Sequence, residues 1–382
     1  MKYDSRYPSV ADLKLRAKKQ IPNFAYDYVD GGIDEELGKK RNRDGFDEII
    51  ITPRYLTDVT YTNIESELFG RKYSFALGVP PIGLGNMMWP GAELTLAQAA
   101  QSANIPYVLS TFSTTLLEEI ADQSGDVCWF QLYVPKKQSV MKEIIERVKK
   151  AGFNALVVTL DIPVGAKRNR EIKNGLQLPF RFTPNIIWQS MIHPQWALKT
   201  LMHGAPDFVN VLPYKEGPDQ RLSEFISNFS MAGVTLERLR EIRSLWDGPL
   251  ILKGIQYGQN MLDAINLGVD GFIVSNHGGR QLEAAPSSMQ TLKELPDEIH
   301  QKATIMIDSG VRTGMDVVRA KAMGADFSFS GRSFFYGMGA MGKKGANQVI
   351  EIYRDEITRT LQQIGCNEFK QLDRSWVSNP SF

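Results

Sequence analysis

The chain has 382 residues, 43% hydrophobic and 23% charged, an ordinary globular composition with enough length to bury a large core. Its net charge of +1 gives no electrostatic footprint for nucleic acid. Cys128 and Cys366 form no CxxC pair, which argues against a disulfide framework or a zinc site and fits a reducing compartment. The first six residues have no signal-peptide core, and no run of 18 apolar residues could span a bilayer, so the chain is expected to stay inside the cell.

In chain order, residues 1–70 form a leading segment with helical material around 12–30. Eight short apolar, β-branched runs follow, at 75–81, 107–111, 128–134, 155–161, 250–255, 271–276, 304–310 and 327–331. Helical patterns at 93–104, 114–123, 139–150, 235–246, 260–267 and 314–323 read as crossovers between parallel strands. The class is therefore α/β, and eight such units predict a (β/α)₈ barrel of roughly 250 residues. A single domain over 1–382 is expected, divided into the leading segment, a barrel over 71–366, and an insertion over 176–234 that reads as a long loop before the next helix.

Every apolar run ends in groups suited to a ligand: Pro81-Ile82-Gly83, Ser110-Thr111, Gln131 with Tyr133, Thr159 with Asp161, Lys253-Gly254, Ser275 through Arg280, Asp308-Ser309-Gly310, and Gly331-Arg332. In a barrel all these ends face one C-terminal mouth, where such enzymes place their chemistry. The segment Asp308-Ser309-Gly310-Val311-Arg312, opening a helix after strand seven, and Gly331-Arg332 after strand eight combine backbone amides, a helix N-terminus and guanidiniums, the equipment of a phosphate site.

Lys253 places a cation in that mouth, flanked by Gln131 and Thr159, an arrangement suited to a flat heteroaromatic ring that gains negative charge on reduction. His277 is the candidate base and Asp161 its carboxylate partner, while Arg280 and Arg168 suit a substrate carboxylate. The remaining histidines, His193, His203 and His300, read as structural or solvated, and no metal site is expected.

The segments Ser275-Asn276-His277-Gly278-Gly279-Arg280-Gln281, Trp129-Phe130-Gln131-Leu132-Tyr133-Val134, Leu252-Lys253-Gly254-Ile255 and Asp308-Ser309-Gly310-Val311-Arg312 resemble those of the FMN-dependent 2-hydroxy acid dehydrogenases and oxidases, over about residues 26–366. The resemblance implies FMN as cofactor, His277 as base held by Asp161, and Arg280 and Tyr28 on the substrate carboxylate. Tyr133 would hydrogen-bond the substrate hydroxyl, and Arg168 would help hold the carboxylate. Pro81, Ile82, Gly83, Ser110, Gln131, Thr159, Lys253 and Ser275 would hold the ring and ribityl, with Asp308, Ser309, Gly310, Val311, Arg312, Gly331 and Arg332 on the phosphate.

The expected reaction converts an (S)-2-hydroxy acid, lactate- or mandelate-like, to the 2-oxo acid. Gly83, where the oxidases commonly carry alanine, favours a dehydrogenase that passes electrons to a quinone or other acceptor; the alternative is an oxidase using O₂. Gly165 removes bulk from the pocket and suits a larger substrate. Leu282-Glu283 replaces the usual Leu-Asp after the histidine motif, a change of one methylene at the rim.

The insertion interleaves aromatic residues with few charges, and its stretch 177–212 either sits at a membrane surface or packs over the barrel or another subunit. Cytoplasmic location, with peripheral attachment to the inner membrane face as the variant, and a homo-oligomer (a tetramer) complete the expectations. The rivals are a catalytically silent FMN-binding protein and a non-flavin phosphosugar enzyme, which would leave Lys253 and Tyr28 unexplained.

Overall fold

A computed structural model describes residues 3–176, 183–217, 220, 222–230 and 233–378. Eight parallel strands form the centre: β1 (Leu77–Gly78), β2 (Tyr107–Ser110), β3 (Cys128–Leu132), β4 (Ala155–Thr159), β5 (Leu250–Ile255), β6 (Gly271–Val274), β7 (Thr304–Ile307) and β8 (Phe327–Phe329). They are hydrogen-bonded in the order β1-β8-β7-β6-β5-β4-β3-β2. The ring closes through a parallel bridge between Val79 and Tyr107, where Val108 N–H donates to the Val79 carbonyl at 3.0 Å. The result is the expected barrel, whose nearly continuous burial explains why these runs are apolar without alternation.

All eight strands fall inside the predicted runs, and most stop short of them. The polar residues that end each run leave the ladder to form the mouth, so a run predicts a strand plus the start of its functional loop. The expected crossover helices form within a few residues of their predicted bounds, for example Ala92–Ala103, Gln138–Lys150 and Gly314–Ala322.

The leading segment forms α1 (Val10–Gln20), α2 (Asn23–Asp30) and α3 (Leu37–Asp47). A Ser9/Asp12 capping box starts α1, and Pro22 separates it from α2. Sequence patterning missed the hairpin Ser66–Leu68/Arg71–Tyr73, whose turn residues Phe69 and Gly70 both have positive φ. Its Phe69 ring lies 6.0 Å from Trp129, covering the barrel end opposite the mouth.

The insertion departs most from expectation, because it is largely helical rather than loop. Thr183 caps Pro184–Met191, Pro194 opens Pro194–His203, and Leu222–Phe229 follows. Proline at the first helical position gives up an amide that has no partner there, so Pro184 and Pro194 begin helices rather than break them. Phe180, Arg181 and Phe182 of the apolar stretch lie outside the described residues.

Candidate active site

The mouth holds a cavity of about 570 Å³. Tyr28, Pro81, Ile82, Gly83, Ser110, Tyr133, Arg168, Lys253, His277, Arg280, Asp308, Ser309, Gly310, Arg312, Gly331 and Arg332 line it. Gln131, Thr159, Asp161, Ser275 and Val311 stand one layer behind. Gln131 accepts from Ser110 Oγ at 3.2 Å, Ser275 from Lys253 Nζ at 2.9 Å, and Val311 from Ser330 Oγ at 2.8 Å, while Thr159 pairs in register with Lys253.

His277 stands on a tight turn with φ of 58°, followed by Gly278 and Gly279 in the same left-handed region. Ser309 Oγ accepts from the amides of Asn276 and Gly278 at 3.3 and 2.8 Å, and Asn276 exchanges two hydrogen bonds with Asn42 of α3. The imidazole Nδ1 lies 3.0 Å from Asp161 Oδ1. An ionised carboxylate only accepts, so Nδ1 carries the proton and Nε2 keeps its lone pair. Asp161 can pack there because residue 254 is glycine, with φ of 84°: a Cβ at that position would stand 2.3 Å from Asp161 Cγ.

Burial acts most strongly on both groups and their pairing answers it. Asp161 is raised by burial, then lowered below its ordinary value by His277 and Lys253. His277 is lowered by burial and further by Lys253 and Arg168, with Asp161 opposing, so the imidazole is neutral at neutral pH and competent as a base. Tyr133, pushed well above its ordinary value by burial and then Asp161, keeps its phenolic proton.

Across the cavity, Arg280 Nη1 donates to the Gly31 carbonyl at 2.9 Å and its guanidinium lies 5.3 Å from the Tyr28 ring centre. Tyr28 donates its hydroxyl proton to the Gly83 carbonyl at 2.9 Å. Arg168 makes only long contacts, to Gln281 at 3.4 Å and to Glu171 and the Arg280 carbonyl at 3.5 Å. Glu171, absent from the residues singled out by sequence, accepts from Arg280 Nη2 at 2.8 Å. No apolar pattern marks it, because its place depends on a five-residue helix, Asn169–Lys173.

Three features test the fit of a flavin nucleotide. Gln131 Nε2 and Thr159 Oγ1 are buried polar atoms without a partner, available to a heteroaromatic edge. Lys253 is buried, donates to Ser275, and is raised above its ordinary value by Asp308 and Asp161 despite burial, so it stays charged. Arg332 is buried with its hydrogen bonds on the carbonyls of Val29, Gly278 and Gly31 and none on a carboxylate; burial and then Arg312 bring it down to about 10. A desolvated cation of this kind fits a phosphate. Asp308 differs from the rest of its loop: its carboxylate faces Lys253 at 2.9 Å and accepts from Ser309 Oγ at 2.8 Å, which suits hydroxyl donors rather than an anion.

The outer wall is apolar. Phe112 packs against Tyr133 and Phe208 at 5.2 and 5.5 Å between ring centres, and Phe208, Leu176 and Ile226 bring part of the insertion onto the cavity. Gly165 lines it with nothing within 4 Å of where a Cβ would be. The other histidines lie off the cavity, His193 on the Gln189 carbonyl at 2.7 Å.

A barrel with a cofactor cradle, an imidazole–carboxylate pair and two guanidiniums at its C-terminal mouth defines the class of a flavin-dependent oxidoreductase. The family of FMN-dependent dehydrogenases matches residues 17–379, and the chain belongs to that family, with FMN as its cofactor. An L-lactate dehydrogenase of Vibrio cholerae is 38% identical over 95% of this chain and 97% of its own length. The (S)-mandelate dehydrogenase of Pseudomonas putida is 34% identical over 97% and 94%. A solved structure of (S)-mandelate dehydrogenase, described as a monotopic membrane protein, superposes with a TM-score of 0.91 at 34% identity, covering 97% of this chain and 99% of that one.

Proposed function

We propose that the protein oxidises an (S)-2-hydroxy acid to the corresponding 2-oxo acid. The observation that carries this reading is the pairing of a neutral, carboxylate-oriented His277 with Arg280 across a cavity that also holds Lys253. FMN supplies the two-electron acceptor when bound. Pro81, Ile82, Gly83, Ser110, Gln131, Thr159, Lys253 and Ser275 hold its ring and ribityl, with Asp308 accepting from hydroxyls. Ser309, Gly310, Val311, Arg312, Gly331 and Arg332 hold its phosphate.

Arg280 and Arg168 orient the substrate carboxylate, and Tyr28 joins them by exchanging its hydrogen bond to Gly83. Tyr133 meets the substrate hydroxyl. Oxidation removes two electrons and two protons from the substrate: His277 takes one proton onto Nε2, Asp161 stabilising the imidazolium that results, and the other proton leaves with the two electrons to the cofactor. The aromatic wall of Phe112 and Phe208 and the open space at Gly165 suit a mandelate-like tail better than a methyl group.

We further propose that the electrons pass on to a quinone, that the chain is one domain assembled as a homo-oligomer, and that it works in the cytoplasm, attached peripherally to a membrane. Among the described residues no helix is long and apolar enough to cross one. Supporting attachment, Ile187, Trp188, Met191, Leu198, Leu201 and Met202 are exposed on two consecutive insertion helices.

The test is anaerobic: lactate, glycolate, mandelate and longer 2-hydroxy acids are added in turn to the FMN-loaded protein. Mandelate is expected to bleach the flavin fastest, and failure of every acid to bleach it would refute the reading. Reoxidation by a soluble quinone, faster than by dissolved oxygen, checks the acceptor.

A further inference from the structure

The two guanidiniums assigned to the substrate carboxylate share the cavity with a carboxylate of the protein itself. Glu171 Oε1 accepts from Arg280 Nη2 at 2.8 Å and stands 3.5 Å from Arg168 Nη1, and the Glu171 side chain is only 15% exposed. Its position is set from outside the cavity. On the same short helix, Arg170 reaches Asp27 at 3.3 Å and Asp30 at 2.7 Å, and Asn174, which caps its end, donates to Asp27 Oδ2 at 2.7 Å, fastening that helix to α2. Glu171 is thus held against the arginines by a framework that does not use it.

This end of the cavity therefore contains two cations and one fixed anion. Lys253 is already paired with Asp308, and Arg312 and Arg332 belong to the phosphate loops. The neighbouring tail wall, Phe112, Phe208, Leu176 and Ile226, offers no cation. We propose that Glu171 sets the charge of the accepted substrate, admitting 2-hydroxy acids with one carboxylate and rejecting those with two; the proposal rests on the 2-hydroxy acid reading above. One substrate carboxylate brings the group of four charges to neutrality. A second leaves an uncompensated anion beside Glu171 and an apolar wall, where repulsion and lost hydration both oppose binding.

The experiment compares ligands that differ in tail charge. Binding of 2-oxovalerate and 2-oxoglutarate to the FMN-loaded protein is read from the perturbed flavin absorbance, and anaerobic flavin reduction by 2-hydroxyvalerate and 2-hydroxyglutarate gives kcat/KM. The unaltered protein should bind the monoanion at least about tenfold more tightly than the dianion, and Glu171→Gln should reduce that preference by about tenfold in both measurements. Glu171→Asp, which keeps the charge, should retain the preference. Equal binding of the two oxo acids by the unaltered protein overturns the proposal, even if the glutamine variant fails to load FMN. An unchanged preference in Glu171→Gln, or equal loss of it in Glu171→Asp, also overturns it. If the unaltered protein is reduced by no 2-hydroxy acid, the functional reading itself fails, a result distinct from all of these.

Discussion

At the scale of single residues, the proposed chemistry rests on keeping His277 neutral without leaving it unsupported. Burial lowers it most, Lys253 and Arg168 lower it further, and Asp161 opposes them. A base works only when unprotonated, so activity should persist on the acid side of an ordinary histidine's range. Asp161→Asn removes the opposing influence, so the acid limb of the kcat/KM profile should move to still lower pH. The plateau should fall by about 10²-fold, because the imidazolium loses its counter-charge. Pre-steady-state flavin reduction across pH 4.5 to 8 measures both, and a limb displaced to higher pH would contradict the assignment. His277 and Asp161 were legible in sequence because each ends an apolar run, and a barrel brings run ends together. Glu171 was not, because nothing in the spacing Arg168-Asn169-Arg170-Glu171 fixes which side chain turns inward; the ion pairs of Arg170 with α2 decide that.

At the scale of elements, the loops after β1 and β2 are joined by buried side chains: Asn86 donates to Thr115 Oγ1 at 3.1 Å, and Glu93 bridges both loops. Glu93, at the start of Ala92–Ala103, accepts from the amides of Gly85 at 2.9 Å and Thr114 at 2.9 Å. Burial pushes its carboxyl up to about 7, against the hydrogen bonds it accepts. A folded value above the unfolded one means that Glu93 contributes stability in acid that is lost as pH rises through about 7. The Tm of Glu93→Gln relative to the unaltered FMN-loaded protein should therefore rise between pH 5 and 8; a difference independent of pH would show that Glu93 is ionised throughout. The insertion helices make a second prediction. Replacing Trp188, Met191, Leu201 and Met202 by serine should abolish sedimentation with anionic liposomes and leave anaerobic flavin reduction unchanged. Retained sedimentation would place attachment elsewhere. Apolar content marked this insertion in the sequence, but its helices were hidden because they are short, eight and ten residues, and carry large apolar side chains on their exposed faces as well as their buried ones.

At the scale of the whole molecule, the eightfold repeat was legible because each parallel strand, covered on both faces, must be apolar throughout. The leading segment was harder to read, since its helices are held by distant partners. Tyr3 donates to Asp355 at 3.3 Å, Asp4 N–H to Gln348 at 2.9 Å, and Arg16 to the Ala340 carbonyl at 2.8 Å. Arg54 N–H donates to the Ile364 carbonyl at 2.7 Å, Asn63 N–H to that of Asn367 at 2.8 Å, and Ile51 bridges Val377. Such contacts join residues about as far apart in sequence as the chain permits, and they leave no periodic trace.

The same interlock imposes an order in time. Residues made early have partners made late, so the segment bearing Tyr28 cannot dock over the mouth until translation has passed Arg332 and Tyr336, which hold the Val29 and Gly31 carbonyls and the Asp30 carboxylate. Until then the nascent chain is a partly built barrel with an unoccupied flank, the period in which it depends most on chaperones.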